Sequence, residues 1–508
     1  MTDPHEFRYD KKTPAQTGHE KPPAGLVPTV NPVQTPPVTP PPAIKDKVVL
    51  SQEQQKRRLT LLSEMRESIA EIVPQPPAEK QEGEQTAESQ PVSAPASSGV
   101  MTLMEALGSP AMKSIRFGVI GTGQCGNRLA EQFFQFGYNV VAMNTAQQDL
   151  QFIQIPDERK LHLPYALGGA GKDILVGQQA AYKNLPEIIK LLDASFKDVD
   201  QILICTSGGG GTGAGSLIPL LEAIGSVESI AGLPIVIMYT LPMNDEGAQA
   251  KSNAIKTLDR IARIANDDMI SSIIIIDNSK IQERHLTVSV KDFWKLANFD
   301  IINLLNMFNS VSKCATHYDA LDPMDFANIL STGGCLIYGR ADIKLQLDDK
   351  GQVTLDEQKL TQALLSSAQE GVLAEGFDLR QAQRIGVVIT SSEQILAQIP
   401  AIAINYALNQ LTENVGNDAT IYKGVYTDED AVDTVSVFTI FAGLGLPQER
   451  IARLKAEAAE ASHKIEVKQK IKLSVSETPA TEKKDVYENM RHKNSSMGRM
   501  IDKKRPIR

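Results

Sequence analysis

Cysteine, long apolar runs and a leader pattern are what this sequence has least of. Its 508 residues hold four cysteines, Cys125, Cys205, Cys314 and Cys335, far apart and without a C-x-x-C pair. A zinc site or a disulfide framework is therefore not expected. No apolar run reaches the roughly 18 residues of a membrane-spanning helix. The opening Met1-Thr2-Asp3-Pro4-His5-Glu6 lacks the basic-then-apolar layout of a signal peptide. These absences point to a reducing, cytoplasmic setting without membrane insertion. The net charge of −9 argues against a nucleic-acid coat for the chain as a whole. The charge is uneven, however. Residues 464–508 carry 13 Lys/Arg against 6 Asp/Glu, which leaves the remainder strongly acidic.

Composition divides the chain. Sixteen of the 28 prolines lie in the first 100 residues, with Pro36-Pro37 and Pro40-Pro41-Pro42 favouring extended polyproline conformations. Such a segment buries too little apolar surface to offset its ordering entropy, so residues 1–112 are expected to be disordered. The exception is a helix over 51–73. Ser51-Gln52-Glu53-Gln54 reads as a capping box, and Leu59, Leu62, Met65, Ile69 and Ile72 recur at helical spacing. Two readings stay open for it, a transient helix and a partner-docking helix.

From Ser114 strands and helices alternate. Strands are expected at 115–120, 139–143, 201–205, 235–239 and 273–276, with a helix from Asn127 to Phe136. Such a βαβα order implies a parallel sheet covered by helices. A long helix is expected over 292–312. A second α/β unit should follow from Cys335 to about Leu446, with strands at 384–389 and 434–440. A helix over Gln448 to Ala461 and a basic tail close the chain.

Two glycine-rich turns carry the chemistry. Gly209-Gly210-Gly211-Thr212-Gly213-Ala214-Gly215 stands between the strand at 201–205 and a helix starting near Leu217. Missing side chains let backbone N–H groups approach an anion, and a helix N-terminus favours negative charge. The run has no lysine and is not a Walker P-loop. Gly121-Thr122-Gly123-Gln124-Cys125-Gly126 is formally a dinucleotide fingerprint, and a nicotinamide or flavin site is the competing reading. A ribose-binding acid is expected about 20 residues on. That place holds Asn144-Thr145.

Taken together, the motifs resemble the tubulin/FtsZ superfamily over about 115 to 446. The 209–215 run fits the tubulin pattern [SAG]-G-G-T-G-[SA]-G, and Gly123-Gln124-Cys125-Gly126-Asn127 resembles the first tubulin loop. Asn144 to Leu150 is similar to the FtsZ run N-T-D-A-Q-A-L. Leu167-Gly168-Gly169-Ala170-Gly171 is similar to the loop facing the γ-phosphate. Thr240 to Gly247 is similar to the loop whose glutamate, here Glu246, meets the ribose. Ile276-Asp277-Asn278 looks like the segment whose asparagine reads guanine. Trp294 and Asn298 keep the aromatic-x-x-x-Asn spacing of the base site. The resemblance implies a Rossmann-like parallel-sheet GTPase domain over 113–291, a central helix over 292–312, and an activation loop with a second α/β domain over 313–446. A C-terminal helix and basic tail make up 447–508. It also implies GTP/GDP and Mg²⁺ as ligands, and Gly209, Gly210, Gly211, Thr212 and Gly213 as phosphate cradle. Homopolymeric filaments are implied as well, for positioning or segregating DNA or virions, or for cell division. The mixture of features resembles plasmid- and phage-type members, TubZ-like or phage tubulin-like.

In that family a following subunit inserts an acidic loop against the γ-phosphate. The matching run here is Asp322-Pro323-Met324-Asp325-Phe326-Ala327-Asn328. Asn328 stands where an aspartate is usual, so Asp325 or Asp322 would have to compensate. The alternative is a nucleotide-binding structural filament with little hydrolysis. Ala250 stands where FtsZ usually has an arginine. For the basic tail three readings stay open: DNA or an adaptor complex, an acidic surface of a neighbouring filament, or no contact.

Overall fold

In the computed structural model the described residues are 107–469, less 166–167, 290, 317, 347–351, 354, 356, 370–372 and 417, together with Lys56, Arg57 and Thr60. The expected helix over 51–73, apart from those three positions, and the basic tail beyond 469 lie outside the described residues, as does Leu167.

Ten strands form one sheet in the order β3-β2-β1-β4-β5-β6-β7-β10-β8-β9. β1 (Phe117–Thr122), β2 (Asn139–Asn144), β3 (Lys160–His162), β4 (Gln201–Ser207), β5 (Ile235–Leu241) and β6 (Ser272–Asp277) run parallel. All six positions of β1 and β6, and all seven of β5, are buried. Strands buried on both faces read as apolar runs without alternation, which is why Ile-Val-Ile-Met-Tyr and Ile-Ile-Ile-Ile sit where they do. Parallel neighbours require crossovers. These are α1 (Gly123–Gln135), α2 (Gln147–Gln151), α3 (Ile174–Lys183), α4 (Leu185–Ser195), α5 (Thr212–Ser226) and α6 (Ala248–Asn266).

After α7 (Asn278–Arg284) comes α8 (Phe293–Val311), followed by α9 (Pro323–Leu330). The latter half of α8 is buried all round, including Leu305, Asn306, Phe308 and Asn309. A helix buried on every side runs through a core rather than over it. The sheet continues through β7 (Cys335–Lys344), with α10 (Glu357–Gln369), β8 (Arg384–Ser391), α11 (Glu393–Leu396), α12 (Ala401–Val415), β9 (Thr420–Thr427) and β10 (Thr434–Leu444). Here β10 pairs antiparallel with both β7 and β8. The seam between the halves is thin: β6 and β7 pair at Ile273↔Cys335 and Ile274↔Leu336. α13 (Gln448–Gln469) packs on α6 and runs past the expected end at Ala461.

Two helices begin earlier than their apolar patterns suggest. α1 starts at Gly123, not Asn127, and α5 at Thr212, not near Leu217. Glycine disfavours helix interiors, but close packing of a first turn against a neighbouring backbone leaves no room for anything larger. No helix among the described residues is long and apolar enough to cross a membrane.

Candidate functional site

The strand order 3-2-1-4-5-6 reverses between β1 and β4, and a crevice opens beyond the carboxyl ends of strands at such a point. α1 and α5 both begin there. Their first turns abut: a Cβ on Gly123, whose φ is +71°, would lie 2.9 Å from the amide nitrogen of Gly213. A Cβ on Gly126 would lie 2.1 Å from the Cys205 carbonyl oxygen. Gly211 is pressed against the Asp173 carbonyl, 2.6 Å from its absent Cβ. Around Gly210, by contrast, the nearest atom is Ser207 Oγ at 3.8 Å. Thr145 and Thr212 hydroxyls are bonded at 2.6 Å and tie β2's end to α5.

The helix starts themselves are bare. Neither Thr122 nor Gly211 caps its helix with a side chain, and neither first turn holds an acid. Elsewhere Asp173, Asp277 and Asp322 cap α3, α7 and α9. Two uncapped N-termini converging on one crevice leave several orphan N–H groups and two positive dipole ends facing the same space. That arrangement holds a multiply charged anion.

The rim is built from three loops. Gly168, Gly169 and Gly171 have φ of +88°, +84° and +56°, which other residues rarely adopt, and no atom lies within 4 Å of a Cβ on Gly168 or Gly171. The Gly169 amide donates to the Thr145 carbonyl at 3.1 Å, and Ala170 is buried. Glu246 takes the Met243 amide at 3.2 Å and pairs with Lys172 at 3.1 Å, joining the turn after β5 to the segment after Gly171. Asn144 donates to Asp149 at 2.9 Å, and Gln124, exposed at the mouth, reaches the same carboxylate at 3.4 Å. Cys125 is half-buried, and burial pushes its thiol up, against a hydrogen bond with Thr240 that acts the other way. Asn127 is fully buried, and its amide donates to the Met143 carbonyl at 3.2 Å, bracing α1 against β2.

Beyond the rim, Asn278 opens α7, half-buried, beside Asp277, whose carboxylate caps the helix at Ser279 N. Trp294 and Asn298 lie one turn apart on α8, the first half-buried and the second buried. The indole meets Phe293 edge-on at 4.9 Å, and the Arg128 guanidinium lies 5.7 Å from the Trp294 ring centroid.

Residues 116–284 match the Tubulin/FtsZ family, GTPase domain. Residues 305–455 match the Tubulin/FtsZ-like protein TubZ-like, C-terminal domain. The chain belongs to the tubulin/FtsZ superfamily. It is 27% identical over 390 residues to the tubulin-like protein TubZ of Bacillus cereus, covering 69% of this chain and 86% of that protein. It is 26% identical over 335 residues to the tubulin-like protein CetZ of Pyrococcus abyssi, covering 64% and 85%. The fold matches TubZ of Bacillus thuringiensis serovar israelensis, solved as a GTPγS-form protofilament, with a TM-score of 0.60. That match has 23% identity and covers 70% of this chain and 94% of the other.

In this tubulin/FtsZ chain the acidic run is not a free loop. Asp322 and Asp325 form a reciprocal capping box on α9: Asp325 N donates to Asp322 at 2.9 Å, and Asp322 N donates to Asp325 at 3.1 Å. Asn328 follows one turn later, half-buried, its carbonyl held by Arg384 at 3.0 Å. The structure therefore gathers the predicted glycines with Gln124, Cys125, Asn144, Thr212 and Glu246. Asn278, Trp294 and Asn298 stand on the neighbouring helix starts, and the α9 residues stand apart. Sequence reasoning missed Asp149, Lys172 and Arg128. Asp149 lies inside the quoted Asn144–Leu150 run, and its position five residues after Asn144 was the available signal. Lys172 and Arg128 gave none.

Proposed function

We propose that this chain binds GTP in the crevice between α1 and α5, polymerises head to tail, and hydrolyses GTP where a second copy completes the site. A separation carries this reading. Trp294 and Asn298 belong to the start of α8, whereas Phe308, near its end, stacks on Phe326 of α9 at 6.4 Å. Ten residues of helix from 298 to 308 span about 15 Å, and Asp322, Asp325 and Asn328 lie on α9, at that far end. They serve a neighbour's nucleotide, not their own. The protofilament form of the solved TubZ supports self-assembly by the same fold.

Roles follow from chemistry. The amides of the Gly123 and Thr212 turns and the 168–171 loop hold phosphates, Glu246 takes the ribose, and Asn278, Asn298 and Trp294 take the base. Mg²⁺ fits the oxygen donors at the mouth, where Gln124 and Asp149 would hold it alongside the phosphates. Among the described residues no group of three or more His, Cys, Asp or Glu is gathered for a metal; Mg²⁺ is commonly bound through one or two carboxylates together with substrate phosphates. Bound there, it would neutralise phosphate charge. The filament's work is the positioning or segregation of DNA or virions, or cell division, in the cytoplasm, with the basic tail taking an adaptor or DNA.

A second reading, a static nucleotide-bound filament, is favoured by Asn328, since an amide orients water but accepts no proton. Right-angle light scattering on adding GTP with Mg²⁺, with phosphate release recorded in the same cuvette, separates the two. Scattering that rises and decays with phosphate release supports the dynamic filament. Scattering that rises and stays, with little phosphate, supports the static one. No response to GTP sinks both.

A further inference from the structure

α13 carries Arg450 and Glu457 seven residues apart, hence on one face two turns along. Ile451, Leu454 and Ala458, on an adjoining stripe, are buried and seat the helix. Arg450 is 2% exposed and grips Asp277, itself buried, through Nε to Oδ2 and NH2 to Oδ1. Its remaining nitrogen meets Glu457 at 3.4 Å. Glu457 in turn meets the buried Lys251 at 3.1 Å, and Lys251 donates to the Asn244 carbonyl at 2.7 Å. The row therefore alternates in sign, Asp277, Arg450, Glu457, Lys251, and sums to zero. Burial alone works against the Arg450 charge; Asp277 and Glu457 outweigh it and hold the guanidinium above its ordinary pKa.

Both ends of the row finish at the candidate site. Asp277 ends β6 and caps α7 through Ser279 N, and the residue between them is Asn278. Asn244 belongs to the turn after β5 that carries Glu246. β5 and β6 are in register at Leu241↔Asp277, so the two loops leave the sheet side by side. A planar guanidinium forked onto a carboxylate fixes direction as well as distance.

We infer that α13 is a strap that positions the base- and ribose-facing loops: Arg450 holds Asn278 through Asp277, and Glu457 holds the Glu246 loop through Lys251. These are positioning residues that touch no ligand, and the inference rests on the nucleotide reading proposed above. None of the four stands in a glycine-rich motif, and Arg450 and Asp277 are 173 residues apart in sequence.

The test measures dissociation constants by displacement of a fluorescent GDP analogue. The competitors are GDP, IDP (which lacks the 2-amino group of guanine), ADP and inorganic tripolyphosphate. Arg450→Gln and Asp277→Asn are expected to lower the preference for GDP over IDP or ADP about tenfold, the worth of one well-aligned hydrogen bond. Tripolyphosphate affinity should stay unchanged, because the cradle glycines are untouched. A general loss of structure would weaken both alike. Where Arg450→Gln does not fold, Glu457→Gln carries the test: it removes the charge shared by Arg450 and Lys251 without placing a cation beside either, and is expected to weaken GDP while sparing tripolyphosphate. Variants that fold and keep the wild-type base preference overturn the strap while leaving the nucleotide site standing. Wild-type protein that binds tripolyphosphate and GDP without preferring GDP over ADP overturns the base-site reading, and the strap with it.

Discussion

Lys113 enters the core just before β1 and is 3% exposed. Its ammonium donates to the Leu107 carbonyl at 2.7 Å, to Ser310 Oγ at 3.0 Å and to Asn306 Oδ1, and lies 5.2 Å from the Tyr138 ring centroid. All of these partners are neutral, and burial lowers its pKa from 10.5 to about 8. At about 1.36 kcal/mol per unit, a charged Lys113 costs the fold about 3 kcal/mol. The sign is set by proton binding. Between pH 8 and 10.5 the unfolded lysine is protonated and the folded one is not, so stability rises with pH across that window, by about 1.4 kcal/mol per pH unit. Below pH 8 both states are charged and the full cost applies. Lys113→Met removes the titration, and Leu107 O and Asn306 Oδ1 keep the donors Asn306 Nδ2 and Tyr138 Oη, each at 3.0 Å. Urea unfolding of both proteins at pH 7 and pH 9.5 isolates the effect, because other titrating groups cancel in the difference. Wild type should gain about 2 kcal/mol on Lys113→Met over that interval. A difference that stays constant to within about 0.5 kcal/mol refutes the buried, unpaired ammonium.

Gly126→Ala puts a methyl 2.1 Å from the Cys205 carbonyl oxygen, so α1 must shift off β4 at a cost of about 1–3 kcal/mol. Nucleotide affinity should fall with it. Gly168→Ala meets no atom within 4 Å and should lose only the backbone strain of its positive φ, about 1–2 kcal/mol; melting curves compare the two. Asn328→Asp restores a carboxylate one turn from Asp325 and should raise phosphate release at least about tenfold with light scattering unchanged. An unchanged rate means that position 328 is not limiting. Asp325→Asn keeps an oxygen to accept from Asp322 N, so α9 survives; phosphate release should fall about a hundredfold while filaments persist.

The strands were legible because parallel strands covered on both sides need apolar residues at every position, and Ile235 to Tyr239 or Ile273 to Ile276 could be little else. Helix starts at the site were not. Gly123-Gln124-Cys125-Gly126 and Thr212-Gly213-Ala214-Gly215 have the composition of loops, and only the neighbouring backbone at 2–3 Å explains why helices begin there. Asn127 belongs to the first-loop motif, and its amide donates to the Met143 carbonyl of β2. A motif records which residues a site needs. It does not say which of them touch the ligand and which hold the others. Contacts such as Arg450 with Asp277 leave no local trace, since nothing in the sequence around either residue specifies its partner.

On the proposed reading, Asp325 of α9 is the group that would partly stand in for the carboxylate missing at Asn328. In the capping box each carboxylate spends one oxygen on the other's backbone, leaving Asp322 Oδ2 and Asp325 Oδ1 outside the box. Burial raises the Asp325 carboxyl above its ordinary range, more than its hydrogen bond from Asp322 N lowers it. A carboxylate so raised is a better base than an exposed one, and removing more water as a neighbouring subunit docks would raise it further. Asp325 and Asn328 are three residues apart on a helix and share an edge, so the amide can orient a water within reach of the carboxylate. On the reading proposed above, that pair acts only when docked against a neighbour's phosphates, so the chemistry would belong to the filament rather than to the subunit.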